Sequence, residues 1–182
     1  MPRYILTGTS GAGKTAILRQ LELNGHVVVE EAATDVIALE NALGHAEPWR
    51  EPAFLEKIVT LQRGRQARTH AAEGATIFCD RSPVCTLTLS HYLGFTPSRL
   101  LADEVARAVA EGVYELTVFF VRHQGFIRAT SARRISFEDS LVFERLHEQI
   151  YRDLGFRLTE VPAGPLTGRV ALVQQTIERL RS

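Results

Sequence analysis

Residues 8–15 read Gly-Thr-Ser-Gly-Ala-Gly-Lys-Thr, and no other stretch constrains the chain as tightly. They fit G-x-x-x-x-G-K-[ST] at every fixed position. A short apolar run, Tyr4-Ile5-Leu6, precedes them, and Ile17, Leu18 and Leu21 follow at helical spacing. Strand, glycine loop and helix in that order place backbone amides around an anion. Gly8, Gly11 and Gly13 let the chain wrap a phosphate closely, and the amides and helix N-terminus supply oriented positive charge. Ser10, Ala12 and Ala16 complete the backbone cradle. Lys14 can reach the β- and γ-phosphates, and the Thr15 hydroxyl can ligate Mg²⁺. The implied ligand is a nucleoside triphosphate with Mg²⁺. Lys14 and Lys57 are the only lysines in a chain whose other cations are arginines, so a lysine here suits a compact ammonium. As part of an exposed loop, Lys14 should hold none of the core together.

The remainder alternates between strand and helix patterns. Strands are predicted over residues 4–6, 27–29, 75–79, 115–121 and 156–161. Helices are predicted over 13–23, 32–43, 52–72, 83–93, 98–111, 136–154 and 166–181, several ending on glycine. Residues 45–52, with two prolines and Trp49, read as a loop that either lines an acceptor pocket or packs locally. Five strands separated by helices, several of them continuous apolar runs, predict a three-layer α/β fold. Its five-stranded parallel sheet is covered on both faces. The expected organisation is one domain over residues 1–182.

Ligands in such folds bind at the carboxyl ends of the strands, so the residues there are the candidates. The third predicted strand leads into Asp80-Arg81-Ser82. Asp80 can hold Mg²⁺ directly or through water, or cap the next helix, although Ser82 is better placed to cap. Arg81 can pair with a phosphate or substrate group, or form a structural salt bridge. The second strand ends at Glu30-Glu31, two carboxylates facing one crevice. Glu31 is the stronger candidate to take a proton from a substrate hydroxyl; a preference of acidic residues for helix N-termini is the alternative. After the fourth strand, Arg122, Arg128, Arg133 and Arg134 occur with no acidic residue before Glu138. Residues 122–135 therefore read as a lid, or else as a solvated basic loop. As a lid, its guanidinium groups, Arg128 and Arg134 above all, close on phosphates. No Asn-Lys-x-Asp guanine signature follows any strand, which favours ATP over GTP.

Composition excludes several classes. Net charge is zero over 182 residues, so no global field draws the chain to nucleic acid or an acidic membrane. No apolar run is long enough to span a bilayer, and no leader precedes the first strand. The expected location is cytoplasmic. Cys79 and Cys85 make neither a disulfide framework nor a zinc site and should pack as small apolar residues.

Residues 8–15, Val29-Glu30-Glu31-Ala32-Ala33, Cys79-Asp80-Arg81 and the tail from Arg134 through Gly155 to Arg169 together carry a resemblance. The chain resembles the small AAA-like ATP-binding domain family that includes the nicotinamide riboside kinase domain of NadR. Asp80-Arg81-Ser82 is also similar to the corresponding motif of deoxynucleoside kinases. The resemblance implies a P-loop fold like that of nucleoside and nucleotide kinases, with ATP and Mg²⁺ as cofactors. Two functions fit: a kinase acting on a small-molecule hydroxyl, and a regulatory NTPase switch acting through a protein partner.

Overall fold

The structure is a computed structural model that describes residues 1–9, 11–124 and 137–181. Five strands, β1 (Arg3–Thr7), β2 (Val27–Val29), β3 (Ile77–Asp80), β4 (Thr117–Val121) and β5 (Arg157–Val161), form one parallel sheet in the order β2-β3-β1-β4-β5. The helices between them are α1 (Lys14–Leu23), α2 (Ala33–Ala42), α3 (Ala53–Arg68), α4 (Pro83–Tyr92), α5 (Arg99–Ala110), α6 (Phe137–Asp153) and α7 (Leu166–Arg181). The expected three-layer α/β sheet is therefore present.

Strand alternation divides the core. In β1, Tyr4 and Leu6 face a layer made by Ile17, Leu18 and Leu21 of α1 and Val170, Val173 and Ile177 of α7. Ile5 faces the opposite layer, with Val59 of α3, Val84 of α4, Val105 of α5 and Tyr151 of α6. Phe78, Phe119 and Phe120 are fully buried; each such ring contributes roughly 1.5–3 kcal/mol by leaving water. A third cluster joins Ala32 and Val36 to Phe54, Leu55 and Ile58, with Trp49 packed against it. It builds a separate wall beside the carboxyl edge of the sheet.

Element ends depart modestly from expectation. Helix α3 stops at Arg68, four residues early, because Thr69 is extended and turns its hydroxyl back onto the Arg65 carbonyl at 2.8 Å. The loop before α3 contains a 3-10 turn at Pro48–Arg50. Asp80 is the last residue of β3 rather than the first beyond it. Both cysteines are buried and free, as expected. Among the described residues, no helix is long and apolar enough to cross a membrane.

Candidate active site

Strand β1 lies at the centre of the sheet, and the loop after it sits where the chain switches sides. Gly8 and Gly13 adopt φ of 128° and 87°, a region that suits glycine. Space also demands glycine at Gly8, where the neighbour is backbone. A Cβ on Gly8 would come within 2.2 Å of the Val121 carbonyl oxygen, and one on Gly13 within 2.8 Å of Arg169 Nη1. The loop is thus pressed between the end of β4 and helix α7. Gly11, Gly13, Lys14, Thr15 and Ala16 line a cleft of about 580 Å³, while Gly8 and Ala12 are buried beneath them. Ser10 lies outside the described residues.

Lys14 corrects one expectation. It is the first residue of α1 and only 6 % exposed, not a free loop lysine. Its ammonium donates to the carbonyls of Gly8 (3.2 Å) and Thr9 (2.9 Å). Burial, then the nearby Arg81 charge, pulls its pKa down to about 8, against the opposing pull of Asp80 and Glu31. The sequence could not disclose this, because the burial comes from the loop folding over its own lysine.

Asp80 is 5 % exposed, and its Oδ1 has no hydrogen-bond partner. Burial pushes its pKa up to about 6, although Lys14 opposes the shift. Thr15, Glu30, Glu31 and Asp80 line a recess of about 190 Å³ below the phosphate loop. An unpartnered buried carboxylate oxygen beside a threonine at a helix start fits a hard cation that also takes phosphate oxygens. Among the described residues no group of three or more His, Cys, Asp or Glu forms an all-protein cation cage. Helix capping falls to Ser82, whose hydroxyl accepts from the Val84 amide at 3.2 Å.

The Asp80 environment gives a signed expectation. The folded pKa lies above the ordinary value of 3.8. Protonation therefore favours the fold: the benefit is complete below the unfolded pKa and is lost as pH rises through about 6. Asp80→Asn should raise the nucleotide-free melting temperature at pH 8, by on the order of 2 kcal/mol of stability. At pH 4 the two proteins should melt together. The same variant should lose Mg²⁺-dependent turnover, and thermal melts at both pH values with Mg²⁺ titrations check both halves.

The two acidic residues after β2 have separate partners. Glu30 pairs with Arg19 at the surface. Glu31 accepts from Arg81 Nε at 2.8 Å and from the Thr34 hydroxyl at 3.4 Å. Arg65, from α3, holds the backbone carbonyls of both glutamates and pairs with Asp35. Arg81 has φ of 70° without being glycine, a conformation costing about 1–3 kcal/mol that tends to mark functional sites. Its amide donates to the Leu6 carbonyl at 3.0 Å, tying it to the carboxyl end of β1. Burial alone would lower its pKa, but Glu31, Cys85 and Asp80 outweigh it, so Arg81 stays charged. A carboxylate, a guanidinium and an ammonium thus converge at the mouth of the phosphate loop.

Beyond them the cleft continues to a largely apolar end formed by Trp49, Phe54, Ile58, Leu89 and Phe143. Trp49 does both things considered for it, packing on the third cluster and lining the cleft. Gln62, absent from the sequence reading, also lines this end. It is 3 % exposed and its Oε1 has no partner. The available signal was a glutamine four residues after Ile58 on the buried stripe of α3. Phe143 comes from α6, and nothing local to it in sequence marks a site.

The expected lid is only partly described. Arg128, Arg133 and Arg134, with the rest of residues 125–136, lie outside the described residues. Arg122, expected at the lid's start, is instead engaged by three carboxylates. It bonds Glu144 at 2.7 Å, Glu160 at 2.5 Å and also Glu148. Its guanidinium lies 4.7 Å from the Phe120 ring centre. It anchors α6 and β5 to the end of β4.

A phosphate loop at the switch point of a parallel sheet, with an acidic residue ending the neighbouring β3, defines a P-loop α/β protein. The chain belongs to an AAA domain family, whose profile matches residues 3–169. No curated protein matches it. Solved structures of deoxyadenosine kinase from M. mycoides share the fold. One with the products dCMP and a flexible dCDP has 16 % identity and a TM-score of 0.65, covering 98 % of this chain and 99 % of that one. A second, with dCTP bound, has 15 % identity, a TM-score of 0.61 and coverage of 98 % and 100 %. A third, with dATP bound, has 14 % identity, a TM-score of 0.57 and coverage of 97 % and 99 %.

Proposed function

We propose that this protein transfers the γ-phosphoryl group of Mg·ATP to a hydroxyl of a small, ring-bearing acceptor of the nucleoside class. The observation that carries this reading is one continuous cleft. It runs from Lys14 and Thr15, past Glu31 and Arg81, to the wall of Trp49, Phe54 and Phe143 with Gln62 in it. A switch that only hydrolyses nucleotide has no use for that second, ring-sized end. Aromatic side chains offer a flat ring its largest contact area, and the unpartnered amide oxygen of Gln62 offers a donor-bearing edge an acceptor.

In this reading ATP lies with its β- and γ-phosphates on the loop amides and Lys14. Thr15 and Asp80 would hold the Mg²⁺, which would neutralise phosphate charge. Glu31 accepts the proton of the acceptor hydroxyl as its oxygen bonds to phosphorus and the bond to the ADP oxygen breaks. Arg81 holds Glu31 and meets charge on the transferring group, and Arg128 and Arg134 add positive charge to the phosphates. The protein acts by position and charge, as phosphoryl transfer requires. The domain over 1–182 works as one unit in the cytoplasm.

Trp49 is the sole tryptophan, so its fluorescence reports the acceptor end directly. A panel of nucleosides, deoxynucleosides and nicotinamide riboside should contain members that quench it saturably. For such an acceptor, Gln62→Leu should raise KM about 10- to 100-fold and flatten the preference among bases, with ATP affinity unchanged. Indifference of Trp49 to the whole panel, or of base preference to Gln62→Leu, would count against a ring-reading site.

A further inference from the structure

Glu31 leaves the sheet at its least supported place. Strand β2 is a three-residue strand at the sheet edge, and its last ladder pair joins Val29 to Cys79. Glu30 and Glu31 lie past that pair and before α2, whose N-cap, Ala32, makes no side-chain cap. A turn at the end of a short edge strand shifts easily unless something outside it binds its backbone. Arg65 of α3 binds it. Its Nη1 donates to the Glu30 carbonyl at 3.3 Å and to the Glu31 carbonyl, and its Nη2 pairs with Asp35 in the first turn of α2. The guanidinium spans the whole turn, from strand end to helix start, as a planar group with several donors can. Packing of α2 on α3 does not depend on it. Ala32 and Val36 already meet Phe54, Leu55 and Ile58 through buried apolar side chains, and the half-exposed pair with Asp35 adds little. What Arg65 adds is a fixed place for the Glu31 main chain, set from α3. That helix also carries Phe54, Ile58 and Gln62, which line the ring-sized end of the cleft. From the other side, Arg81 Nε holds the Glu31 carboxylate at 2.8 Å and its amide is bonded to the Leu6 carbonyl.

We propose that Arg65 is a positioning residue for the phosphoryl transfer: it sets the Glu31 backbone against the acceptor wall of α3, while Arg81 sets the Glu31 carboxylate against the phosphate loop. This rests on the reading of Glu31 as the group that takes the acceptor proton. Arg65 is not among the residues that line the cleft, so it acts through Glu31 and touches neither substrate. One helix thereby presents the acceptor, through Phe54, Ile58 and Gln62, and fixes the proton acceptor, through Arg65. The distance between the acceptor hydroxyl and Glu31 is then set within one rigid element. Reacting groups held about 1 Å out of place lose roughly 100-fold in rate, so such a hold has a kinetic consequence even where it adds little to stability.

The test is a double-mutant cycle. Wild type, Arg65→Met, Arg65→Lys, Glu31→Gln and the Glu31→Gln, Arg65→Met double variant are compared by steady-state kinetics with Mg·ATP. The acceptor is whichever nucleoside, deoxynucleoside or nicotinamide riboside wild type phosphorylates fastest. Arg65→Met should lower kcat about 10- to 100-fold, with acceptor KM and ATP affinity little changed. In the Glu31→Gln background the same substitution should cost nothing further, because the group it places has already lost its function. Arg65→Lys, which keeps the charge but not the planar set of donors, should recover part of kcat. Melting temperatures check the fold; if Arg65→Met does not fold, the cycle is run with Arg65→Lys, which should show a smaller loss and the same cancellation. Three results in the folded variant would overturn the inference: unchanged kcat, a loss seen chiefly in acceptor KM, or a loss that adds in full to that of Glu31→Gln. The second would make Arg65 part of acceptor binding and the third would make it only a strap. Wild-type kcat in Glu31→Gln would overturn the base reading itself; a slow Glu31→Gln beside an indifferent Arg65→Met would overturn only the role of Arg65.

Discussion

Glu31→Gln should slow phosphorylation of the acceptor by about 10²- to 10⁴-fold, the usual span for a positioned general base, while Mg·ATP binds as before. Glutamine keeps the shape and can still accept from Arg81 Nε and Thr34, the partners of Glu31. What it removes is the charge and the ability to take a proton. Donor binding should survive, because Lys14 is held by the Gly8 and Thr9 carbonyls rather than by Glu31. The fold should survive as well, because Arg65 secures this segment through backbone carbonyls that the substitution leaves in place. Steady-state kinetics with ATP and acceptor varied separately checks the split. A fall in kcat with ATP affinity constant supports the assignment. Wild-type kcat would reduce Glu31 to a structural partner of Arg81.

Lys14→Ala carries the second large effect. Loss of the ammonium should cut turnover by at least about 10²- to 10³-fold, the range for removing one preorganised charge from a transition state. It should also weaken Mg·ATP more than Mg·ADP, since the lysine serves the β- and γ-phosphates. The burial of Lys14 adds a stability term of opposite sign. Its folded pKa, about 8, lies below the ordinary 10.5. The fold therefore disfavours the charged form, a cost that is full below pH 8 and fades as pH rises through 8 to 10.5. Relative to wild type, Lys14→Ala should melt higher at pH 6.5 than at pH 9.5. Scanning calorimetry at both pH values, beside ATP and ADP titrations, measures both effects. Equal losses for ATP and ADP would contradict the phosphate assignment of Lys14.

Much of this was legible because it is local. The order of strands and helices follows from apolar runs and glycine stops. Helix capping by Ser82 rather than Asp80 follows from side-chain chemistry. Glu31 and Asp80 were candidates because strand ends in a parallel sheet meet at one edge, so separate stretches of sequence come together there. What stayed hidden depends on contacts between distant segments. Glu30 and Glu31 are neighbours in sequence, yet only the positions of Arg19 and Arg81 send one to the surface and the other to the cleft. Arg122 has the composition of a lid arginine, and only the folding of α6 and β5 beside it shows three carboxylates in wait. Gln62 and Phe143 reach the cleft from helices whose sequences read as ordinary amphipathic segments.

The most direct measurement follows phosphorus. Protein, Mg·ATP and a panel of nucleoside-class acceptors are incubated together and observed by ³¹P NMR, with acceptor-free and Glu31→Gln controls. The account predicts a phosphomonoester resonance that grows in step with ADP, only when a suitable acceptor is present and hardly at all with Glu31→Gln. Release of ADP with inorganic phosphate, at a rate indifferent to every acceptor and to Glu31→Gln, would contradict it and leave a nucleotide-hydrolysing switch in its place.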